Sequence, residues 1–187
     1  PALALGAAGS VPGSIGVVEG ETIPYQPWAL LQKQENFANR ATADPLASCA
    51  MPGVPRITYM PYPFQILQFD DRILILYEYV HVTRTIYMDD SDHPDGHIDF
   101  WMGDSRGRWE GDTLVVDTTN FTDRTASFGI TGLALGSAQE LHLEERFTRV
   151  DNESLMYEFT INDAASFVRS FSGRLPMNTS DLPLYEY

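Results

Sequence analysis

Cysteine is nearly absent: Cys49 is the only one among 187 residues. It can form no intramolecular disulfide and no multi-cysteine metal site. Lysine is equally scarce, since eleven of the twelve basic residues are arginine and Lys33 is the exception. Against these 12 bases stand 26 acids, a formal net charge of −14. Phosphate backbones and anionic lipid repel such a polyanion, which argues against nucleic acid and membrane surfaces as partners. Long apolar runs are missing too, and none approaches the roughly 18 residues of a spanning helix. No glycine-rich dinucleotide or Walker-type loop occurs, so neither cofactor nor metal is expected.

What the chain has in quantity is aromatic side chains. Ten Phe, nine Tyr and three Trp make up 12% of it, concentrated between Tyr59 and Trp109. That density suits a β core or a pocket for a flat organic molecule. Residues 1–24 are rich in Gly and Pro and read as an irregular arm, leaving 25–187 as one domain. Small apolar residues from Pro1 to Ser10 resemble the tail of an export signal, and Asn120, Asn152 and Asn178 each open a glycosylation sequon. Both features suit a secreted or periplasmic protein, while a single cysteine also suits the cytoplasm. A homo-oligomer is left open.

Pro27, followed by Trp28, Leu31 and Phe37, predicts one helix over Gln26–Thr42. Five prolines within 43–63 predict an ordered loop or edge segment. From Phe64 onward β-branched and aromatic residues dominate. Strands are expected over Phe64–Phe69, Arg72–Tyr79, Val80–Met88, His97–Met102, Arg108–Glu110, Thr113–Phe121, Leu141–Val150, Leu155–Ile161 and Ser166–Leu175. The fold class expected is therefore mainly β: a single antiparallel β-barrel of the lipocalin or calycin kind, with one N-terminal helix.

Strand parity singles out two residues. An Asp151-Asn152-Glu153 loop sets Phe147 opposite Tyr157 and Leu143 opposite Ile161. Glu145 then lies on the apolar face, and Arg146 faces Glu158. Arg84, between Val82 and Ile86, is a second charge at apolar parity. Buried charges want partners, so Arg84 and Glu145 are expected to pair or to line a cavity together.

Three further constellations bear chemistry. Gly103-Asp104-Ser105-Arg106-Gly107 has the spacing of a hydrolase nucleophile elbow, and Asp117 and His142 follow in hydrolase order. A β run comes next where the elbow needs a helix, so a glycine-permitted turn is expected instead. The acids of 89–97, with His93 and His97, read as a solvated turn rather than a cation loop. His142 is the natural proton shuttle near neutral pH.

The stretch Trp101 to Val116, with Leu141-His142-Leu143-Glu144-Glu145-Arg146-Phe147, resembles a large group of uncharacterised, often exported bacterial proteins. Gln26-Pro27-Trp28, Glu35-Asn36-Phe37, Pro52 to Arg56, Arg84 to Asp89 and His93-Pro94 are similar too, so the resemblance spans most of 24–175. Many of those proteins carry His in place of Asp104 and Pro-Trp in place of Ser170-Phe171. The resemblance implies no activity.

Together these features suggest a cofactor-independent lyase, isomerase or cyclase acting on an apolar, aromatic or terpenoid molecule held in the barrel. His142 or Glu145 would move the proton and Arg84 would steady negative charge. Tyr59, Tyr77, Tyr79, Trp101 and Asp99 would contact the substrate. A non-catalytic carrier with the same pocket is the alternative, and a serine hydrolase using Ser105 ranks third.

Overall fold

The computed structural model describes residues 17–18, 23–124, 140–181 and 183–185. Helix α1 (Pro27–Ala38) opens at a proline whose missing N–H costs the first turn nothing. Asn39 interrupts it before a short second helix, α2 (Arg40–Ala43). A third short helix, α3 (Arg56–Tyr59), is buried throughout. The strands are β1 (Val17–Val18), β2 (Phe64–Gln68), β3 (Arg72–Tyr77), β4 (Thr83–Tyr87), β5 (Asp104–Glu110), β6 (Thr113–Thr119), β7 (His142–Arg149), β8 (Ser154–Asn162) and β9 (Phe171–Asn178).

They form one sheet in the order β1-β9-β8-β7-β6-β5-β4-β3-β2. Every pair is antiparallel except β4 and β5, which run parallel after the crossover of residues 88–103. The sheet curls into a half-barrel. Its concave face gathers Ile73, Ile75, Tyr77, Leu114, Val116, Leu143, Phe147, Tyr157 and Phe159. Val54, Ile57 and Tyr59 join the same cluster, so the buried Pro52–Met60 segment plugs the concavity. Two glycines make room for inward packing. A Cβ on Gly173 would lie 2.6 Å from the Phe159 ring, and one on Gly107 would lie 2.5 Å from the Met88 sulfur.

The mainly β architecture with one substantial helix agrees with the sequence. So does the β7–β8 register, with Phe147 opposite Tyr157 and Leu143 opposite Ile161. Arg146 lies opposite Glu158 in that ladder, but its guanidinium bonds Glu110 instead (2.7 Å). Other expectations are corrected. Gly103–Gly107 is not a turn: only Gly103 has positive φ (70°), and Asp104 onward is strand. Val80 and His81 adopt left-handed φ in a 3-10 turn, so β4 starts at Thr83. His97–Met102 is not a strand, and Phe100 makes only an isolated bridge to Phe121. Residues 52–60 form no strand, as expected of the proline-rich segment, but they are buried throughout and include α3. Within the sequence's N-terminal arm, Val17–Val18 pairs with β9, while 1–16 and 19–22 lie outside the described residues.

Candidate functional site

Three arrangements invite a functional reading, and they occupy different places. The first is inside the half-barrel. Arg84 on β4 and Glu145 on β7 are 2% and 0% exposed and form an ion pair. The strands between them complete the network. Arg84 Nε donates to Ser105 Oγ (3.0 Å) and Arg84 Nη2 donates to Thr118 Oγ1 (2.9 Å). Tyr157 OH donates to the other Glu145 oxygen (2.7 Å). Burial alone would lower the Arg84 pKa, but the Glu145 carboxylate beside it holds the guanidinium above its ordinary value. Burial, reinforced by the Glu145 charge, pushes the Tyr157 phenol well up. Tyr77 is raised by burial as well, and its hydroxyl pairs with Thr58 Oγ1 (2.9 Å).

The second arrangement lies on the convex face, where strand alternation turns Arg106, Asp117 and His142 outward. His142 Nε2 meets one Asp117 oxygen (2.5 Å) and His93 Nε2 meets the other (3.0 Å). His93 Nδ1 bonds Asp104 (2.7 Å), which Arg106 grips through Nε (2.7 Å) and Nη2 (3.1 Å). Arg106 also donates to Ser91 and covers the Tyr87 ring at 4.7 Å. Each group orients the next, and the chain ends at an imidazole whose side chain is 45% exposed. Asn120, at positive φ (58°), holds the crossover that carries His93, because its amide donates to the carbonyls of Pro94, Asp95 and Ile98.

The third is a cleft of about 610 Å³ between the two margins of the half-barrel. Phe64, Gln65 and Ile66 of β2 form one wall, and Leu175, Pro176, Met177 and Asn178 of β9 form the other. Tyr59, Met60 and Tyr62 make the floor, and the β7–β8 turn closes one end with Arg149, Asp151, Asn152 and Ser154. Thr179, Ser180, Pro183 and Leu184 of the C-terminal segment border the cleft. Thr179 N–H donates to the Glu153 carbonyl and Tyr185 N–H to Glu78 Oε2, both at 2.8 Å, with Pro183 and Leu184 lining the cleft between these anchors.

The residues singled out in the sequence are divided among these places. Arg84, Glu145 and Tyr77 share the buried network. Tyr59 is buried and lines the cleft. Tyr79 stacks on Tyr62 at 4.8 Å, one layer behind the cleft. Trp101 is 40% exposed on the crossover, where Asp99 is exposed too. His142 points away from Glu145, because residues three apart on a strand face opposite sides. Ser105 is the second residue of β5, 1% exposed and bonded to Arg84 and Thr118 (3.2 Å), and strand continues after it where an elbow needs a helix. That is not elbow geometry. His93, expected in a solvated turn, is instead a central link of the convex chain.

Sequence reasoning missed the His93–Asp104–Asp117 links. The available signal was parity, which sets Arg106, Asp117 and His142 on outward positions of adjoining strands. It also missed the cleft, whose walls come together only when the sheet curls. Among the described residues, no group of three or more His, Cys, Asp or Glu is placed to hold a metal ion. No protein-family model, curated protein or solved structure matches this chain.

Proposed function

We propose that the chain is a binding protein whose ligand lies, apolar side inward, in the cleft between β2 and β9. The observation that carries this reading is the make-up of that cleft. Its volume of about 610 Å³ falls in the usual range for ligand sites, and Tyr59, Met60, Phe64, Leu155, Leu175 and Met177 give it an apolar lining. The groups suited to moving a proton, His142 and Glu145, are not part of it. Arg149 and Asp151, the two charged residues lining it, sit at the turn end. Binding without turnover follows more directly from this make-up than a lyase, isomerase or cyclase does.

The test is titration with Nile red, an uncharged fluorophore that brightens in apolar surroundings. The parent protein should bind it saturably. Leu155→Trp, which fills the mouth from a half-buried position, should weaken binding at least about tenfold, the equivalent of roughly 1.4 kcal/mol. Equal binding by parent and variant would remove the cleft from consideration.

An enzymatic role rests on a different observation, the bond between Asp117 and the half-exposed His142 imidazole. A carboxylate that orients an imidazole is the arrangement by which general bases are held for proton transfer. That role would place the substrate on the convex face. His142→Ala would then abolish turnover and leave Nile red binding unchanged.

A further inference from the structure

Resting on the cleft as a binding site, we infer that its ligand is an extended polypeptide segment that adds as a strand to the open edge of β2. The inference comes from the backbone of the cleft wall. Pro63 carbonyl accepts from Glu78 N–H (3.1 Å), and Phe69 N–H donates to the Arg72 carbonyl (2.9 Å). Both pairs continue the β2–β3 register, in which Gln65 faces Leu76 and Leu67 faces Leu74. In an antiparallel ladder, hydrogen-bonded and non-hydrogen-bonded pairs alternate. Residues 63, 65, 67 and 69 therefore bond β3, while Phe64, Ile66 and Gln68 direct N–H and C=O away from it. No described strand lies on that side, because β2 ends the sheet.

The opposite wall differs. Thr179 N–H bonds the Glu153 carbonyl, which by the same alternation turns the backbone of Pro176 outward. Proline has no N–H to offer, so that edge is blunted. Edges are also commonly protected by lysine, charge or a bulge, and β2 has none of these. From Ile57 to Phe69 there is no charged residue at all.

A small apolar molecule in the cleft would strip water from the Phe64 and Ile66 backbone groups without replacing its hydrogen bonds. An extended main chain replaces them, and its alternate side chains reach the apolar floor. Charge selects among peptides. The protein carries −14, and Asp70 is exposed just beyond the end of β2. The segment that fits has alternating apolar residues and basic rather than acidic flanks.

The probe is a labelled synthetic peptide of alternating valine and threonine, nine residues long, with two lysines at each end, titrated into the full chain. Saturable binding is expected, with displacement of Nile red. Ile66→Pro removes an N–H that β3 does not use, so the ladder stays whole. It should weaken peptide binding at least about tenfold, the value of one main-chain hydrogen bond with its partner left unpaired. Ile66→Ala keeps the N–H and should lose much less. If proline disturbs β2, hydrogen exchange in the parent answers instead: the Phe64 and Ile66 amides should slow when the peptide binds. Unchanged binding to Ile66→Pro with unchanged exchange overturns the inference. So does failure of the peptide to bind while Nile red still does, which leaves the cleft itself standing. If neither binds, both readings fall. A concentration-dependent dimer that Ile66→Pro abolishes gives the edge to a second copy and also overturns it.

Discussion

Replacing Glu145 by Gln probes the strongest structural commitment in the molecule. Glu145 and Arg84 are buried, and the carboxylate accepts from both Arg84 and Tyr157. The amide would keep the shape and lose the charge, leaving the Arg84 guanidinium in a low-dielectric interior without its counter-ion. Arg84 has little to fall back on: among the described residues Nη1 lacks a hydrogen-bond partner, and its other neighbours are the neutral hydroxyls of Ser105, Thr118 and Tyr77. Breaking a buried pair from one side costs about 3–5 kcal/mol, or a fall in Tm of roughly 6–20 °C for a chain of this length. Replacing both partners by apolar residues, Arg84→Met with Glu145→Leu, removes the stranded charge. It should cost only about 1–3 kcal/mol, chiefly for the Tyr157 hydroxyl left without an acceptor. The double-mutant cycle should then show a coupling of about 3 kcal/mol or more. Urea denaturation followed by far-ultraviolet circular dichroism measures each corner. Single variants within about 1 kcal/mol of the parent, or additive costs, would refute the pairing.

Further outcomes follow from other parts of the fold. Gly173→Ala drives a Cβ into the Phe159 ring and should cost about 1–3 kcal/mol by overpacking, read from the same denaturation curves. Asp104→Ala strips Arg106 and His93 of their shared acceptor and should cost about 1–3 kcal/mol, without changing Nile red affinity. A fluorophosphonate probe should leave Ser105 unlabelled. Stability should fall in strong alkali: burial pushes the Tyr25 phenol up to about 12 from 10.0, so the folded state holds that proton more tightly. The stabilisation is complete below pH 10 and is lost as pH rises toward 12. At the acid end, burial alone would raise the Asp44 carboxyl, but its bonds with Arg56 overcome this and hold it below 3.8. Its contribution is present above that value and is lost as pH falls through the lowered one.

Local alternation made part of this structure legible from the residues alone. The β7–β8 hairpin follows from where Leu, Phe and Tyr recur at every second position, and the same parity exposed Arg84 and Glu145 as misfits that the fold joins across four strands. Glycine misled at Gly107, which reads as a turn residue but stands in a strand because Ile86 and Met88 occupy the space a side chain would take. Proline correctly marked 52–60 as non-strand but gave no sign that the segment is buried throughout or that it holds α3. The parallel β4–β5 pairing and the position of His93 depend on a crossover held by Asn120, which no periodicity announces. The cleft was illegible for the same reason: β2 and β9 lie about a hundred residues apart in sequence, and only the curl of the whole sheet brings them together.

Native mass spectrometry of the parent, Leu155→Trp and His142→Ala, each loaded with one equivalent of Nile red, tests most directly whether the cleft is where this protein binds. The expected result is a one-to-one complex for the parent and for His142→Ala, and unloaded protein for Leu155→Trp. A complex that survives Leu155→Trp and is lost in His142→Ala would contradict the account and move the site to the convex face.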